Sequence, residues 1–483
     1  MTTRDPETDM SSRSSKPECP TEASDGAVGE AGQTSPPERS RSESQERFFI
    51  ETWGCQMNEL DSQRLAGQLV QQGLLPTDRA DEADVILLNS CSVREKAAHK
   101  AYSRLGEYRL LKRRQDRQVR IGFCGCVAQQ EGEQALRRVP ELDFVIGTGR
   151  VGEFRKVFDH VRRTGERTVA TGFPQDREFD LDAISRDGQY KGMVTIVEGC
   201  DKRCTFCIVP TTRGPERSRP AREIVREVER LVAEGFVEIE LLGQTVNHWR
   251  EPEQPERDFA DLLHQVAGLD GVQRLRFVTS YPRDFSDEMV ECFARHPNIS
   301  SYLHLPVQSG DDQVLRRMGR GYEIAAYDEL VAKLRAARPR LALSTDLIVG
   351  FPGETDEQFE RTLDLVRRTR FSSVYAFKYS PRPGTPALRL RDEPVPSEVA
   401  DARLQALFAE QSTIQRQLNE ELVGSRHAVL VTGPSRQEGY LSGRTDCHRI
   451  VHFRGDLERT PAGGLVDVEV TRAHPHSLLG RAA

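Results

Sequence analysis

The chain has 483 residues, with 68 Lys and Arg against 75 Asp and Glu and a formal net charge of −7. Such a length accommodates about three domains with real hydrophobic cores. The mildly acidic balance excludes attachment to nucleic acid by bulk charge alone, while leaving room for local basic patches.

No apolar run approaches the ~20 residues that cross a bilayer, and no export or transit segment is expected. Ten cysteines are few for this length, so they are expected to be metal ligands, catalytic thiols or inert core residues in a reducing, cytoplasmic setting rather than disulfides. Residues 1–45, rich in Ser, Thr, Glu and Pro, read as a disordered tail, and Cys19 within it has no assigned role.

From residue 47, short apolar runs alternate with longer helical patterns. Strands are expected at 47–52, 84–89, 118–123 and 144–147, with helices over 59–72, from 93 to 113, and after 128. This is a doubly wound parallel-sheet domain over 46–162. A polar stretch at 171–189 reads as a linker. A second series follows over 186–418, with strands at 193–198, 237–242, 275–278, 301–305, 342–349 and 373–378, and with helices at 221–233, 327–337 and 357–368 between them. Six βα units suit a (βα)6 partial TIM-like barrel with its functional end at the C-terminal ends of the strands. After an exit helix at 404–421, residues 421–483 are all-β, with strands at 427–432, 449–453 and 465–471, and read as a small barrel. The fold class is therefore α/β with an appended β domain.

The densest motif is Cys200-Asp-Lys-Arg-Cys204-Thr-Phe206-Cys207, directly after the first barrel strand. Three thiolates so spaced can hold three irons of a 4Fe–4S cube and leave the fourth open for a ligand, with Phe206 as an apolar flank. A zinc site completed from elsewhere, or three plain thiols, are the alternatives. Cys55, Cys91 and Cys126 each follow a strand of the first domain, roughly one βα repeat apart. The carboxyl ends of parallel strands share one edge, so these thiols can converge on a second cluster with one open iron. Otherwise each is a small buried hydrophobe. Cys124 reads as a core or edge residue; Cys292 and Cys447 have no partner spacing.

The Cys200–Cys207 pattern on a partial barrel resembles the radical S-adenosylmethionine superfamily. Together with TWGCQMNE at 52–59, CSVREKA at 91–97, LHLPVQSGDD at 303–312, TDLIVGFPGET at 345–355 and SPRPGTPA at 380–387, it is similar to the methylthiotransferase family from about residue 46 to the end, with a C-terminal piece like a TRAM RNA-binding domain. The resemblance implies that Cys200, Cys204 and Cys207 hold a cluster that cleaves S-adenosylmethionine to a 5′-deoxyadenosyl radical, while Cys55, Cys91 and Cys126 hold an auxiliary cluster carrying the sulfur to be inserted. A second S-adenosylmethionine would supply the methyl group. It further implies a tRNA substrate, N(6)-isopentenyladenosine at position 37, methylthiolated at carbon 2. A reducing electron-donor protein, a monomeric chain and no membrane partner are expected.

By location, Gly243, Gln244, Gln308, Ser309 and Asp346 suit the S-adenosylmethionine site. Asp346 can accept ribose hydroxyls, or be an ordinary strand-end carboxylate. Arg382 can reach the substrate or the methionine carboxylate. Thr245 stands where relatives often have Asn, so no contact is carried onto it. Arg213, Arg217, Arg219 and Arg222, just past the cysteine loop, are candidate phosphate contacts. The basic run 104–120 (Arg104, Arg109, Lys112, Arg113, Arg114, Arg117, Arg120) is either such a patch or a solvated face. Two rivals stay open: the same chemistry on threonylcarbamoyl-adenosine or on a ribosomal-protein aspartate, and a non-catalytic iron–sulfur RNA-binding regulator.

Overall fold

The computed structural model describes residues 45–92, 97–114, 118–175, 179, 184–186 and 190–483. The expected tail, Cys19, the start of the helix expected from 93, Arg117 and much of the expected linker lie outside the described residues. Residues 45–483 pack as one unit.

Six parallel strands form the first sheet: β1 (Arg47–Trp53), β2 (Leu75–Pro76), β3 (Val85–Ser90), β4 (Arg120–Cys124), β5 (Phe144–Ile146) and β6 (Thr168–Ala170), in the order β2-β1-β3-β4-β5-β6. Alternation along β3 places Ile86 and Leu88 against Ala101, Leu105 and Tyr108 of α2 (Ala97–Arg114). Val85 and Leu87 face the other way, toward Leu65 and Leu69 of α1 (Gln56–Gln71). A strand covered on both sides is apolar throughout, as a parallel sheet requires. The chain leaves β1 on one side for β2 and returns on the other for β3. The carboxyl ends of β1 and β3 therefore flank the switch point, where doubly wound sheets take ligands. β2 and β6 were not expected from the sequence. β2 is fully exposed and β6 half-buried, so neither carries an apolar run. β6 also carries the sheet past the expected limit at 162.

The second series forms two three-stranded parallel sheets. One has the order β11-β10-β7, from β7 (Lys191–Thr195), β10 (Glu238–Leu242) and β11 (Arg274–Phe277). The other is β12 (Tyr302–His304), β13 (Ala342–Val349) and β14 (Ser373–Lys378). A parallel bridge between Leu275 and Ile299 joins them, which makes a half-barrel with β7 and β14 as its edge strands among the described residues. The helix Ala221–Ala233 buries Ile224, Val228 and Leu231 at helical spacing against this sheet. The single strand expected at 193–198 is β7 followed by a separate β8 (Val197–Glu198). β8 pairs antiparallel with β9 (Arg217–Ser218) and so closes the base of the cysteine loop.

At the C-terminus β15 (Arg426–Pro434), β16 (Tyr440–Arg444), β17 (Ile450–Arg454), β18 (Leu465–Ala473) and β19 (Leu478–Ala482) close a barrel in the order β15-β16-β17-β19-β18. β16 and β19 escaped the sequence reading because each is short and interrupted by glycine. Gly443 in β16 is needed because a Cβ there would lie 2.4 Å from Val429 Cγ1 and 2.7 Å from the Leu430 carbonyl. This small barrel docks on the amino-terminal ends of the half-barrel strands. Arg274 donates to the carbonyls of Arg444 (3.2 Å) and Ala428 (3.4 Å), and the Ser300 hydroxyl donates to the Asp446 carbonyl (2.6 Å).

Gly443→Val should overpack this closure and destabilise it by about 1–3 kcal/mol. Amide hydrogen exchange should show faster opening across 426–482, with the half-barrel core unchanged.

Candidate active site

Three loops at the carboxyl edge of the first sheet bring Cys55, Cys91 and Cys126 together. Cys55 caps the amino end of α1, and Cys126 lies in the first turn of α3 (Gly125–Glu131). Both thiols thus sit where a helix favours negative charge. The Cys91 thiol hydrogen-bonds with each of the other two. Sharing protons with Cys91 pulls Cys55 down to about 6, against burial and with help from Arg213. The same contact pulls Cys126 down to about 7, whereas Cys91 itself is pushed up.

The approach is enforced locally. Gly125 has φ +90°, and a Cβ on it would strike Asn89 Oδ1 at 2.2 Å and the Ser90 carbonyl at 2.6 Å. Buried Asn58 and Asn89 lock the two loops by exchange: Asn58 Nδ2 donates to Asn89 Oδ1 (3.0 Å), and Asn89 Nδ2 donates to the Asn58 carbonyl (2.9 Å). Asn58 lies inside the 52–59 string and Asn89 ends the strand expected at 84–89, yet nothing in the sequence distinguished them as the clamp. Cys124 is buried in the core beside Phe144 and is pushed up by burial, apart from the thiol set.

In the half-barrel loop, Cys200 and Cys204 are buried and Cys207 is half-buried. Burial pushes Cys207 up to about 12; it also raises Cys200, partly offset by a hydrogen bond with Thr245. Thr245 Oγ1 lies 3.4 Å from Cys200 Sγ. Gln244 Oε1 accepts the Gly199 amide at 2.5 Å, which anchors the start of the loop. Arg320, which the sequence reading missed, is buried and donates to Cys204 Sγ at 3.5 Å and to the Pro306 carbonyl at 2.7 Å, with its guanidinium 4.4 Å from the Tyr281 ring centroid. Phe206 packs edge-on to Phe351.

One cavity of about 830 Å³ joins the two regions. Cys55 of the first set and all of Cys200, Cys204 and Cys207 line it, with Phe206, Gly243, Gln244, Gln308, Asp346 and Arg382. Asp346 faces His304 Nε2 at 3.4 Å. Gln308 adopts φ +78° and is held by backbone bonds to Asp346 and Ile348. Ser280, also missed, lines the cavity with its Oγ buried and without a hydrogen-bond partner among the described residues. A second depression, of about 770 Å³ beside Glu51, Trp53 and Arg104, contains none of the six cysteines. No group of three His, Cys, Asp or Glu among the described residues is arranged for a single metal ion. A cube takes each thiolate on a different iron, so single-ion convergence is not its requirement.

Several expected contacts sit elsewhere. Ser309 is fully buried, 3.5 Å from Thr362 Oγ1, and outside the cavity lining. Arg213 is not at the surface. It is buried, donates to Asp61 Oδ2 at 2.7 Å, and lies 3.5 Å from Asn58 Oδ1. Burial opposes its charge, but Asp61 and the thiols of Cys126 and Cys55 outweigh that and raise its pKa well above the ordinary value. Arg219 is likewise buried, paired with Glu227 and with Glu223 (3.4 Å). Arg217 stacks over Phe179, and Arg222 pairs with Glu253 at 3.1 Å. In the basic run, Arg104 pairs with Glu51, Lys112 with Asp143, Arg113 with Glu141 and Arg120 with Glu46, so intramolecular acids meet most of its charge. The sequence marked these arginines correctly as clustered; charge runs do not reveal which acids fold back onto them.

Comparison with known proteins places these features. Residues 47–147 match the uncharacterized protein family UPF0004, residues 194–366 the radical SAM superfamily, and residues 420–483 the TRAM domain. A tRNA-2-methylthio-N(6)-dimethylallyladenosine synthase of Geobacter metallireducens is 44% identical over 439 residues, covering 90% of this chain and 98% of that one. One of Salmonella arizonae is 44% identical over 442 residues, covering 90% and 92%. Among solved structures, the radical S-adenosylmethionine methyltransferase TsrM from Kitasatospora setae, with cobalamin and a [4Fe-4S] cluster, superposes with a TM-score of 0.51 at 13% identity. That match covers 83% of this chain and 81% of that one, a likeness of fold alone.

In the metal-free chain, Cys55 should alkylate with a midpoint near pH 6, because its lowered pKa makes the thiolate dominant above that pH. Arg213→Gln removes a cation that favours the thiolate, so the midpoint should move upward. Site-resolved iodoacetamide labelling across pH checks both.

Proposed function

The chain belongs to the family of tRNA-2-methylthio-N(6)-dimethylallyladenosine synthases, and on that premise we propose how its residues carry out the reaction. It is a radical S-adenosylmethionine methylthiotransferase that converts N(6)-isopentenyladenosine at position 37 of tRNA into the 2-methylthio derivative, using S-adenosylmethionine and 4Fe–4S clusters. The observation that carries our assignment of roles is one cavity lined by thiols of both sets. Neither threonylcarbamoyl-adenosine, nor a ribosomal-protein aspartate, nor a purely regulatory role has an observation in its favour.

The residues present fit the two clusters. Each site offers three thiols, and the orphaned Ser280 hydroxyl lining the shared cavity offers a polar contact to a ligand. Cys200, Cys204 and Cys207 would hold the cluster that reductively cleaves S-adenosylmethionine, and Cys55, Cys91 and Cys126 the auxiliary one that supplies sulfur. The bound cofactors supply the one-electron chemistry that removes the hydrogen from carbon 2.

The chain's own side chains orient and exclude. Arg320 donates to Cys204 and, being buried, places a fixed positive charge beside the radical site. Thr245 and Gln244 hold the loop at Cys200. Asp346, steadied by His304, would accept ribose hydroxyls. Gly243, where a Cβ would crowd Val197 and Val246, would let the chain's own backbone at the end of β10 approach the ligand. Phe206 presents an apolar wall. Arg382, on the cavity rim, would meet the substrate or the methionine carboxylate. The adenine must leave its stack to reach this depth, so the anticodon loop would present a flipped base. The C-terminal barrel would bind the RNA, a reducing protein would deliver electrons, and a cytoplasmic monomer is the working form. No helix among the described residues is long and apolar enough to cross a membrane.

Cys204→Ala should abolish methylthio product, with isopentenyladenosine accumulating by nucleoside mass spectrometry. Iron should fall by about half, because the auxiliary site is separate; loss of all iron would contradict independent sites. Arg320→Gln should lower the midpoint potential of the radical cluster by about 60 mV if the lost contact is worth ~1.4 kcal/mol. An EPR redox titration reads the shift directly.

A further inference from the structure

The same cavity extends down to the amino-terminal ends of the strands, where the half-barrel and the C-terminal barrel meet. That floor is crowded with charge of one predominant sign. Register places Lys191, Glu238 and Arg274 side by side, and Glu240 beside Arg276. Arg444 of β16 arrives from the C-terminal barrel. Four cations thus meet two carboxylates. Lys191 Nζ lies 2.5 Å from Glu240, and Arg274 lies 3.5 Å from Glu238 while also anchoring the carbonyls of Arg444 and Ala428.

Arg276 and Arg444 are left poorly served. Arg276 is 5% exposed and reaches Glu238 and Glu240 only at 3.6 and 3.8 Å. Its Nε is buried and without a hydrogen-bond partner among the described residues. Arg444 Nη1 is directed at His448, 3.3 Å from both Nε2 and the carbonyl. His448 is held neutral first by burial and then by the surrounding Arg276, Arg444, Lys191 and Arg274. Arg276 also lies over the Tyr302 ring at 5.2 Å, and both guanidiniums line the cavity with only these long contacts, so an anion entering there would supply the acceptor that the Arg276 Nε lacks.

Between floor and thiols, the open side of the half-barrel is lined by Tyr375 and Phe377 of edge strand β14, 50% and 37% exposed while facing the cavity. Exposed aromatic faces beside a positive floor suit single-stranded nucleic acid, in which bases stack and phosphates pair. Resting on the tRNA-modifying reading above, we propose that Arg276 and Arg444 form a subsite for one backbone phosphate of the RNA, next to the nucleotide that enters the cavity. The half-barrel and the C-terminal barrel would then each supply one arm of the clamp, with Glu238 and Glu240 as its orienting acceptors rather than contacts to the RNA.

The test uses the full-length, cluster-loaded protein and a fluorescent anticodon stem-loop carrying isopentenyladenosine, titrated by anisotropy across a KCl series. Arg444→Gln should weaken binding at low salt. It should also flatten the slope of log affinity against log salt by about 0.7 to 0.9, the loss of one phosphate contact. Thr432→Glu, which adds an anion at the floor from β15, should weaken binding in the same way. It provides a second reading if Arg444→Gln folds poorly by iron content and melting temperature. Wild-type binding with both variants keeping its affinity and slope would overturn the subsite. If phosphorus NMR shows inorganic phosphate bound in wild type and lost in Arg444→Gln, while the RNA slope stays unchanged, the site takes a free anion and the RNA assignment falls. Failure of the wild type itself to bind the RNA would overturn the tRNA reading, an outcome distinct from the other two.

Discussion

A guanidinium six residues beyond the last cysteine of the half-barrel loop is buried against the first domain. Arg213 ends the short helix Val209–Arg213, which directly follows Cys207, and its charge is met by Asp61 on the helix that Cys55 caps. The two thiol sets come from different sheets, and nothing local to either would bring them to one cavity. This ion pair spans the junction where they meet. Breaking a buried pair by removing one partner is strongly destabilising, because the remaining charge has no water to turn to. The junction therefore has a strong preference for one docking geometry, and that geometry places thiols of both sets on a shared wall.

Within each set, positioning relies on short-range devices of different kinds. The first sheet uses its switch point, a close approach at Gly125 and a reciprocal pair of buried amides to gather three loops. The half-barrel loop is closed at its base by the β8–β9 ribbon, anchored by Gln244, and faced by Arg320 and Thr245. The electrostatics differ accordingly. Two thiols of the first set are biased toward thiolate by a shared proton on Cys91 and by Arg213, whereas desolvation dominates at Cys200 and Cys207. Loading the second site must overcome that desolvation by exchanging protons for metal.

Among the described residues the half-barrel is open between its edge strands, which matters for a macromolecular substrate. A closed barrel admits a small molecule at one mouth. An open one exposes Tyr375 and Phe377 along its side and lets the C-terminal barrel share the floor of the same cavity. A nucleotide can then be held at its base and at its backbone by different domains, which couples recognition of RNA to access to the reactive end.

Much of this was legible in the residues alone. Apolar runs of strand length alternating with helical periodicity identified both parallel-sheet domains, and β13 and β14 were located to the residue. The Cys200–Cys207 spacing, and the placement of Cys55, Cys91 and Cys126 after successive strands, singled out two sets of thiols, because residues that follow parallel strands share one edge. What remained hidden depends on partners distant in sequence. Arg213 and Arg219 looked like surface cations until folding supplied Asp61 and Glu227; Ser309 looked like a lining residue until Thr362 claimed it; Arg320 carried no signal until a loop more than a hundred residues away brought Cys204 to it. Periodicity and ligand chemistry are local and can be read from a string, whereas the pairing of buried charges is settled only when desolvation forces each to find a partner in three dimensions.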